Sequence, residues 1–120
     1  MNKVAEFLIE SKKLIEDPTH WTTGWFAKTN TGASCSSSDD RAVCFCSLGA
    51  LERHDKRELP YAVYVGGVPS LSKLAQQALE TVMGCSVEDF NDDYSHAMVM
   101  EKWDEAINFA KTKGGAYENI

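Results

Sequence analysis

The chain has 120 residues, of which 43% are hydrophobic and 25% charged, and this is the composition of a globular protein with a core of its own. Its formal net charge of −6 at pH 7 argues against the broad basic face that nucleic acids and anionic lipid surfaces require. We therefore expect a single domain over residues 1–120 that binds neither nucleic acid nor membranes.

The N-terminal segment and the lengths of the apolar runs bear on the subcellular location of the protein. Glu6, Glu10 and Glu16 interrupt any signal-peptide core. No apolar run approaches the roughly 20 residues that a helix needs to span a bilayer. A cytoplasmic location is therefore predicted, and there the four cysteines would be reduced thiols rather than disulfides.

The first predicted element is an amphipathic helix. Its apolar residues recur at helical spacing, and Ser11 lies in the same stripe. The helix is expected to end at Asp17-Pro18, because the residue before a proline avoids the helical region. The apolar members of the stripe are Val4, Phe7, Leu8, Leu14 and Ile15.

A small β-hairpin is predicted near residues 21–38. The segment from His20 to Lys28 is rich in aromatic residues and threonine, which favours a pleated strand over a helix. Asn30-Thr31-Gly32 is a turn signal. The polar stretch at 34–40 then either returns as a short second strand or stays a loop.

The run at residues 44–51 is apolar on almost every side and is therefore expected to be buried. Two starting points fit its helix. One is capped by Asp39 or Asp40, and the other lies near Ser47, with the preceding residues extended. Gly49 stands inside the helix, where glycine costs about 0.5–1 kcal/mol relative to alanine. This indicates that another group, a crossing helix or a ligand, approaches the backbone closely.

Capping residues and helix-breaking residues divide the C-terminal half into separate elements. For the whole chain, the sequence predicts a mainly α, single-domain helical bundle of about four to five helices with the small hairpin. The elements predicted here are a strand or ordered loop at residues 61–65, a helix capped by Ser70 and stopped by Gly84, a short turn from Ser86 to Asp93 and a helix from about Ser95 to Lys113.

Cys46 is the sharpest candidate for chemistry. If the helix begins near Ser47, its thiol lies at a helix N-terminus, where backbone N–H groups and the helix dipole stabilise a thiolate. A cysteine hydrolase or transferase would then use His96 or His54 as its base and Asn91 as the orienting group. The alternative is a small core residue, which is what most free cysteines are. No catalytic residue is assigned under that second interpretation, which we favour.

The cysteines do not predict a metal centre. Zinc sites use repeated Cys-x2–4-Cys pairs or such a pair followed by two histidines, and neither pattern occurs here. The carboxylate and amide oxygens at 91–93 suit a hard cation, but they lack the spacing of a calcium loop. We expect neither a metal ion nor a cofactor.

Trp21, Trp25 and Phe26 place three large rings within six residues, beside Gly24. Rings of this kind anchor interfaces and ligand pockets. They also close hydrophobic cores, so both roles remain open at this point.

Four segments together match the pattern of a known family: Trp21 with Gly24, Cys46-Ser47-Leu48-Gly49-Ala50-Leu51, Phe90-Asn91-Asp92 and Trp103 to Ala110. They resemble a family of small uncharacterised proteins from bacteria and their phages, a domain of unknown function. The resemblance implies one structural or functional unit made by Trp21, Gly24, Cys46, Gly49, Asn91 and Asp92, and it implies no reaction.

The function that the sequence favours is a small cytoplasmic binding or accessory protein that holds a small ligand or a protein partner. An origin on a phage or mobile element is an extension motivated by the resemblance. The other hypotheses are the cysteine-dependent enzyme and a purely structural or oligomeric protein. The residues predicted to bind the ligand are Trp21, Gly24, Trp25, Cys46, Asn91 and Asp92.

Overall fold

Five helices and a small three-stranded sheet make up residues 2–58 and 70–112, the part of the chain that this computed structural model describes. The mainly α fold predicted from the sequence is confirmed, while the segment predicted at 61–65 lies outside the described residues. The helices are α1 (Lys3–Lys12), α2 (Ser47–Glu58), α3 (Leu71–Met83), α4 (Val87–Asp93) and α5 (His96–Thr112). The strands are β1 (Ala27–Thr29), β2 (Ser34–Cys35) and β3 (Ala42–Phe45), preceded by a 3-10 turn at Pro18–His20.

The sheet has the order β2-β1-β3, and both of its pairings are antiparallel. Ala27 lies opposite Cys35 on one side and opposite Phe45 on the other. The predicted hairpin is therefore present as β1 and β2, but its first strand begins only at Ala27. The prediction that the aromatic segment from residue 21 is extended strand is wrong, because only Trp21 forms a bridge there, to Phe45.

The apolar run at 44–51 divides between a strand and a helix. Residues 42–45 form β3 and pair with β1, and α2 begins at Ser47, the later of the two predicted starts. Asp39 caps no helix. Its carboxylate accepts hydrogen bonds from the backbone and side chain of Arg41, and its carbonyl accepts from Arg53 at 2.7 Å. The burial expected of the run holds at most positions, including Phe45 and Leu51.

Helix α1 is shorter than predicted, since it ends at Lys12 and not at Asp17. The chain tightens there: Leu14 N–H donates to the Ser11 carbonyl at 3.1 Å, and Ile15 N–H donates to the Lys12 carbonyl at 3.0 Å. This turn still buries Ile15 completely. The apolar stripe therefore continues past the end of the helix, which is why spacing alone overestimates the helix length.

Side-chain caps fix the remaining helices as the sequence predicts. The Ser70 hydroxyl accepts from Lys73 N–H at the start of α3, and the Ser86 hydroxyl accepts from Asp89 N–H at the start of α4. Helices α1, α2, α3 and α5 surround the core, and Trp103 of α5 is completely buried within it. Across the described ranges, no helix combines the length and the apolar character that crossing a bilayer demands.

Candidate functional site

The buried carboxamide of Asn91 joins three separate parts of the chain. Its Oδ1 accepts hydrogen bonds from Trp21 Nε1 at 2.8 Å, from Ser47 N–H at 2.9 Å and from the Ser47 hydroxyl at 2.8 Å. Its Nδ2 donates to the Thr22 carbonyl at 3.0 Å and to Asp92 Oδ1 at 3.3 Å. Every partner of Oδ1 is a donor and every partner of Nδ2 is an acceptor, so the amide orientation is fixed by its surroundings.

Trp103 continues this network into the core. The Ser47 hydroxyl donates to Asn91 and accepts from Trp103 Nε1 at 3.0 Å. All three side chains are completely buried. A buried polar group left without a partner costs about 1–3 kcal/mol, so a network in which every member is bonded holds α2, α4 and α5 in one arrangement.

The backbone of residues 21–26, which we call the aromatic loop, is attached to β3 and to the start of α2. Thr22 N–H donates to the Phe45 carbonyl at 3.0 Å, and Cys46 N–H donates to the Phe26 carbonyl at 3.2 Å. These bonds, with that from Asn91 to Thr22, use main-chain atoms of the loop. The hydrogen bonds that position the loop therefore do not involve the side chains of Trp25 and Phe26.

Two glycines make this attachment possible. Gly24 has a φ of +80°, a conformation that other L residues rarely adopt, and its N–H donates to Asp92 Oδ1 at 3.0 Å. Gly49 lies against the Phe26 backbone, where a Cβ atom would overlap the Phe26 carbonyl oxygen and lie 2.9 Å from its carbon. The close approach expected at Gly49 is thus made by the aromatic loop, and neither a crossing helix nor a ligand is needed to account for it.

The loop, the start of α2 and one face of α4 enclose an open cavity of about 230 Å³. Trp25 is 59% exposed beside it, and Phe26 is 46% exposed. These two rings therefore do not close the core, which is the role that the sequence left open for them. The residues lining the cavity, called the aromatic cavity below, are Gly24, Trp25, Phe26, Cys46, Glu88 and Asp92.

Cys46 occupies the cap position of α2. Its carbonyl accepts the first helical hydrogen bond, from Ala50 at 2.9 Å, and its Sγ accepts from Gly49 N–H at 3.3 Å. Burial raises the pKa of the thiol above its ordinary value, and the charges of Asp92 and Glu52 raise it further, although the backbone N–H groups act in the opposite direction. The neutral thiol is thus the favoured form at neutral pH.

The histidines proposed as bases for a catalytic cysteine have other partners. His96 Nε2 donates to the Ile15 carbonyl at 2.7 Å, and its ring meets Trp21 edge-on at 5.4 Å between centroids. His54 Nδ1 bonds the Ser11 hydroxyl at 2.9 Å. Asn91 orients Ser47 and Trp21, as described above, and makes no hydrogen bond to an imidazole.

The structure brings all six sequence-predicted site residues together. Trp21 and Asn91 are hydrogen-bonded, and so are Gly24 and Asp92, while Trp25 and Cys46 line the same cavity. Five further participants were not in the predicted binding set. Phe26 is one of the possible anchoring rings indicated by the sequence, and Ser47 and Trp103 lie in segments that carry the family resemblance. Helix spacing could have indicated Glu88, since a residue four positions before Asp92 lies on the same face of a helix. The five residues are Phe26 and Glu88 in the cavity lining and Thr22, Ser47 and Trp103 in the network.

The cysteines, histidines and acidic residues are dispersed. Within residues 2–58 and 70–112, no three of them lie close enough together to hold a metal ion. The thiols of Cys44 in β3 and Cys46 at the start of α2 also have different partners, since Cys44 Sγ donates to the Thr19 carbonyl while Cys46 Sγ accepts from Gly49 N–H.

Comparison with known proteins supplies a family and nothing closer. No curated protein and no solved structure matches the chain. A family model, described as a family of unknown function (DUF6197), matches residues 1–109, a range that includes the aromatic loop, the Asn91 network and the aromatic cavity. The resemblance inferred from the sequence to a family of unknown function is thereby confirmed, and the chain belongs to the DUF6197 family.

Proposed function

We propose that this protein is a small binding protein and that the aromatic cavity is its recognition site. The exposure of Trp25 carries the proposal, since this residue is 59% exposed and lines a concave site. Aromatic side chains in such positions are the usual anchors of bound ligands and partners, because they bury a large area when they are covered.

The rigid attachment of the aromatic loop supports the same conclusion. Binding is weakened when a loop must be ordered at the moment of association, and a loop already held in place avoids that loss. Here Thr22, Gly24 and Phe26 are each fixed through backbone atoms. The two rings are thus presented on a backbone that does not have to change on binding.

The size of the cavity limits what it accepts. Sites for drug-sized molecules usually enclose about 300–1,000 Å³. A volume of about 230 Å³ suits one side chain or a small molecule of similar size. A single anchoring group from a larger partner and a small free ligand both meet this limit.

The proposed setting is the cytoplasm. All four cysteines are free thiols, the state that a reducing compartment maintains. Coding by a phage or mobile element remains a prediction of the family resemblance. The cysteine-enzyme alternative has less support, because burial raises the pKa of Cys46 and each histidine is engaged elsewhere.

A fragment screen followed by two-dimensional 1H–15N NMR tests the proposal. We expect bound fragments to shift the Trp25 indole and the amides of Gly24 and Asp92, and Trp25→Ala to abolish the two amide shifts. Met98→Ala is the matched control, because Met98 is similarly exposed at 46% but lies outside the cavity lining. Fragments that cluster elsewhere, or that bind Trp25→Ala equally well, would refute the assignment of this site.

A further inference from the structure

The aromatic cavity carries two carboxylates on one face of a helix. Glu88 and Asp92 are four residues apart in α4, both line the cavity and both are exposed. Like charges at this spacing repel each other and destabilise a helix. Asp92 also lies near the C-terminal end of α4, where the helix dipole disfavours a negative charge.

Part of this negative charge is unpaired in the protein itself. Asp92 Oδ1 accepts from Gly24 N–H and Asn91 Nδ2, and both of these bonds go to that oxygen rather than to Oδ2. Neither Oδ2 nor the Glu88 carboxylate forms a hydrogen bond or an ion pair with any residue in the described ranges. A cation entering the cavity would therefore meet two carboxylates that no described side chain neutralises.

The start of α2 offers no competing site for an anion. Its first N–H groups are the ones that would bind a phosphate or carboxylate. Ser47 N–H is already taken by Asn91, and Gly49 N–H by the Cys46 sulfur. Among the residues that line the cavity, the charged groups are the carboxylates of Glu88 and Asp92.

The aromatic residues of the lining indicate which class of cation the cavity would prefer. Trp25 and Phe26 expose their rings beside the carboxylates. A guanidinium group is planar, stacks on aromatic faces, donates in pairs to carboxylates and is less strongly hydrated than an ammonium group. Its size also fits a cavity of about 230 Å³.

We propose that the aromatic cavity binds a guanidinium group, carried by an arginine side chain of a protein partner or by a small guanidine. The proposal rests on the recognition function inferred above and states which ligand chemistry that site takes. Asp92 Oδ2 and Glu88 accept from the guanidinium, and the Trp25 ring packs on its plane. Attraction of this kind weakens as salt screens the charges.

NMR titration with matched probes tests this. Acetyl-Gly-Arg-Gly-amide should shift the Trp25 indole and the Gly24 and Asp92 amides, while the neutral citrulline peptide of the same length should bind about two- to fivefold more weakly, the loss expected for an exposed ion pair. The lysine peptide should lie between them. Methylguanidine identifies the source: similar affinity indicates a small guanidine, and much weaker affinity indicates an arginine within a chain.

Charge-neutral variants locate the effect. Glu88→Gln and Asp92→Asn should each weaken arginine-peptide binding by about two- to fivefold. Asp89→Asn is the matched control, because Asp89 is an exposed carboxylate of α4 that does not line the cavity. Equal binding of the citrulline and arginine peptides, or equal loss with Asp89→Asn, would overturn the guanidinium assignment.

The two proposals fail in different ways. If neutral fragments shift the cavity amides but charge makes no difference, the recognition site stands and the guanidinium inference is wrong. If neither the fragments nor the peptides shift those amides, both proposals are wrong.

Discussion

Asn91 Oδ1 lies 2.9 Å from the backbone nitrogen of Ser47, so a side chain of α4 accepts a hydrogen bond from an N–H group in the first turn of α2. Helix N-termini normally meet this need with a cap residue of their own. Here Cys46 takes the cap position and bonds Gly49 N–H through sulfur, while a residue 44 positions away in the sequence supplies the oxygen for Ser47. Removing Asn91 should therefore affect two helices at once.

We predict that Asn91→Ala lowers the free energy of unfolding by about 2–4 kcal/mol, because it leaves the buried Ser47 N–H and Trp21 Nε1 without their acceptor. Urea denaturation followed by fluorescence measures this loss. Asn108→Ala is the control, since Asn108 is exposed on α5 and its replacement should leave stability nearly unchanged. Equal stability of the two variants would mean that the Asn91 network does not hold the fold.

Gly49→Ala should destabilise the protein by about 1–3 kcal/mol, although alanine is ordinarily the better helix former. The added methyl group would overlap the Phe26 carbonyl, which itself accepts from Cys46 N–H. Thermal unfolding monitored by circular dichroism checks this. A higher melting temperature would show that the aromatic loop does not press on α2.

Trp25→Ala should change the free energy of unfolding by no more than about 0.5 kcal/mol, because the ring is 59% exposed. Trp103→Phe is the contrasting variant. It removes the buried indole N–H that donates to the Ser47 hydroxyl and should cost about 1–3 kcal/mol. Denaturant titration of both variants, compared with the unmodified protein, separates the exposed ring from the core ring. Unfolding caused by Trp25→Ala would assign that ring to the core.

Cys46 should give the protein an alkaline sensitivity. Burial raises the pKa of its thiol above the ordinary 9.0, so the folded state keeps its proton at a pH where the unfolded chain loses it. The stability linked to this group is present below about pH 9 and is lost as the pH rises from there through the folded pKa.

The measurement is the unfolding free energy between pH 7 and pH 10 for the unmodified protein and for Cys46→Ala, whose profile should be flatter. Alkylation gives an independent readout. The exposed Cys85 should react with iodoacetamide much faster than Cys46 in the folded state. Rapid labelling of Cys46 below pH 7 would contradict the description of a buried, neutral thiol.

The helices whose signals are local could be predicted from the sequence. Ser70 and Ser86 accept from the N–H groups three residues later, as cap residues do, and α5 runs within one residue of its predicted bounds. These features depend on neighbours a few positions apart. A single sequence displays them directly.

The division of the apolar run at 44–51 could not be settled in the same way. An all-apolar stretch satisfies a buried strand and a buried helix equally well. Pairing with β1, which brings Lys28 opposite Cys44, selects the strand for its first part. Because the residues that select the strand lie outside the run, the periodicity within the run does not indicate where the strand ends and the helix begins.

The role of Asn91 was only partly predictable. Its pattern fits an Asx turn at a helix end. The family resemblance includes it among the predicted binding residues, and the cysteine-enzyme hypothesis names it as an orienting group. Its partners Trp21 and Ser47 lie 70 and 44 positions away. Helix spacing could have added Glu88 to the site, because it stands one turn before Asp92.

The main-chain attachment of the aromatic loop has a consequence for engineering. The peptide groups of Thr22, Gly24 and Phe26 form the hydrogen bonds that hold the loop. The side chains at 25 and 26 can therefore be replaced without loss of these bonds. In a library randomised at these two positions, with Gly24 and Gly49 kept, the variants should keep similar melting temperatures and differ in the ligands that they bind. The chain is thus a compact scaffold on which new specificities can be selected.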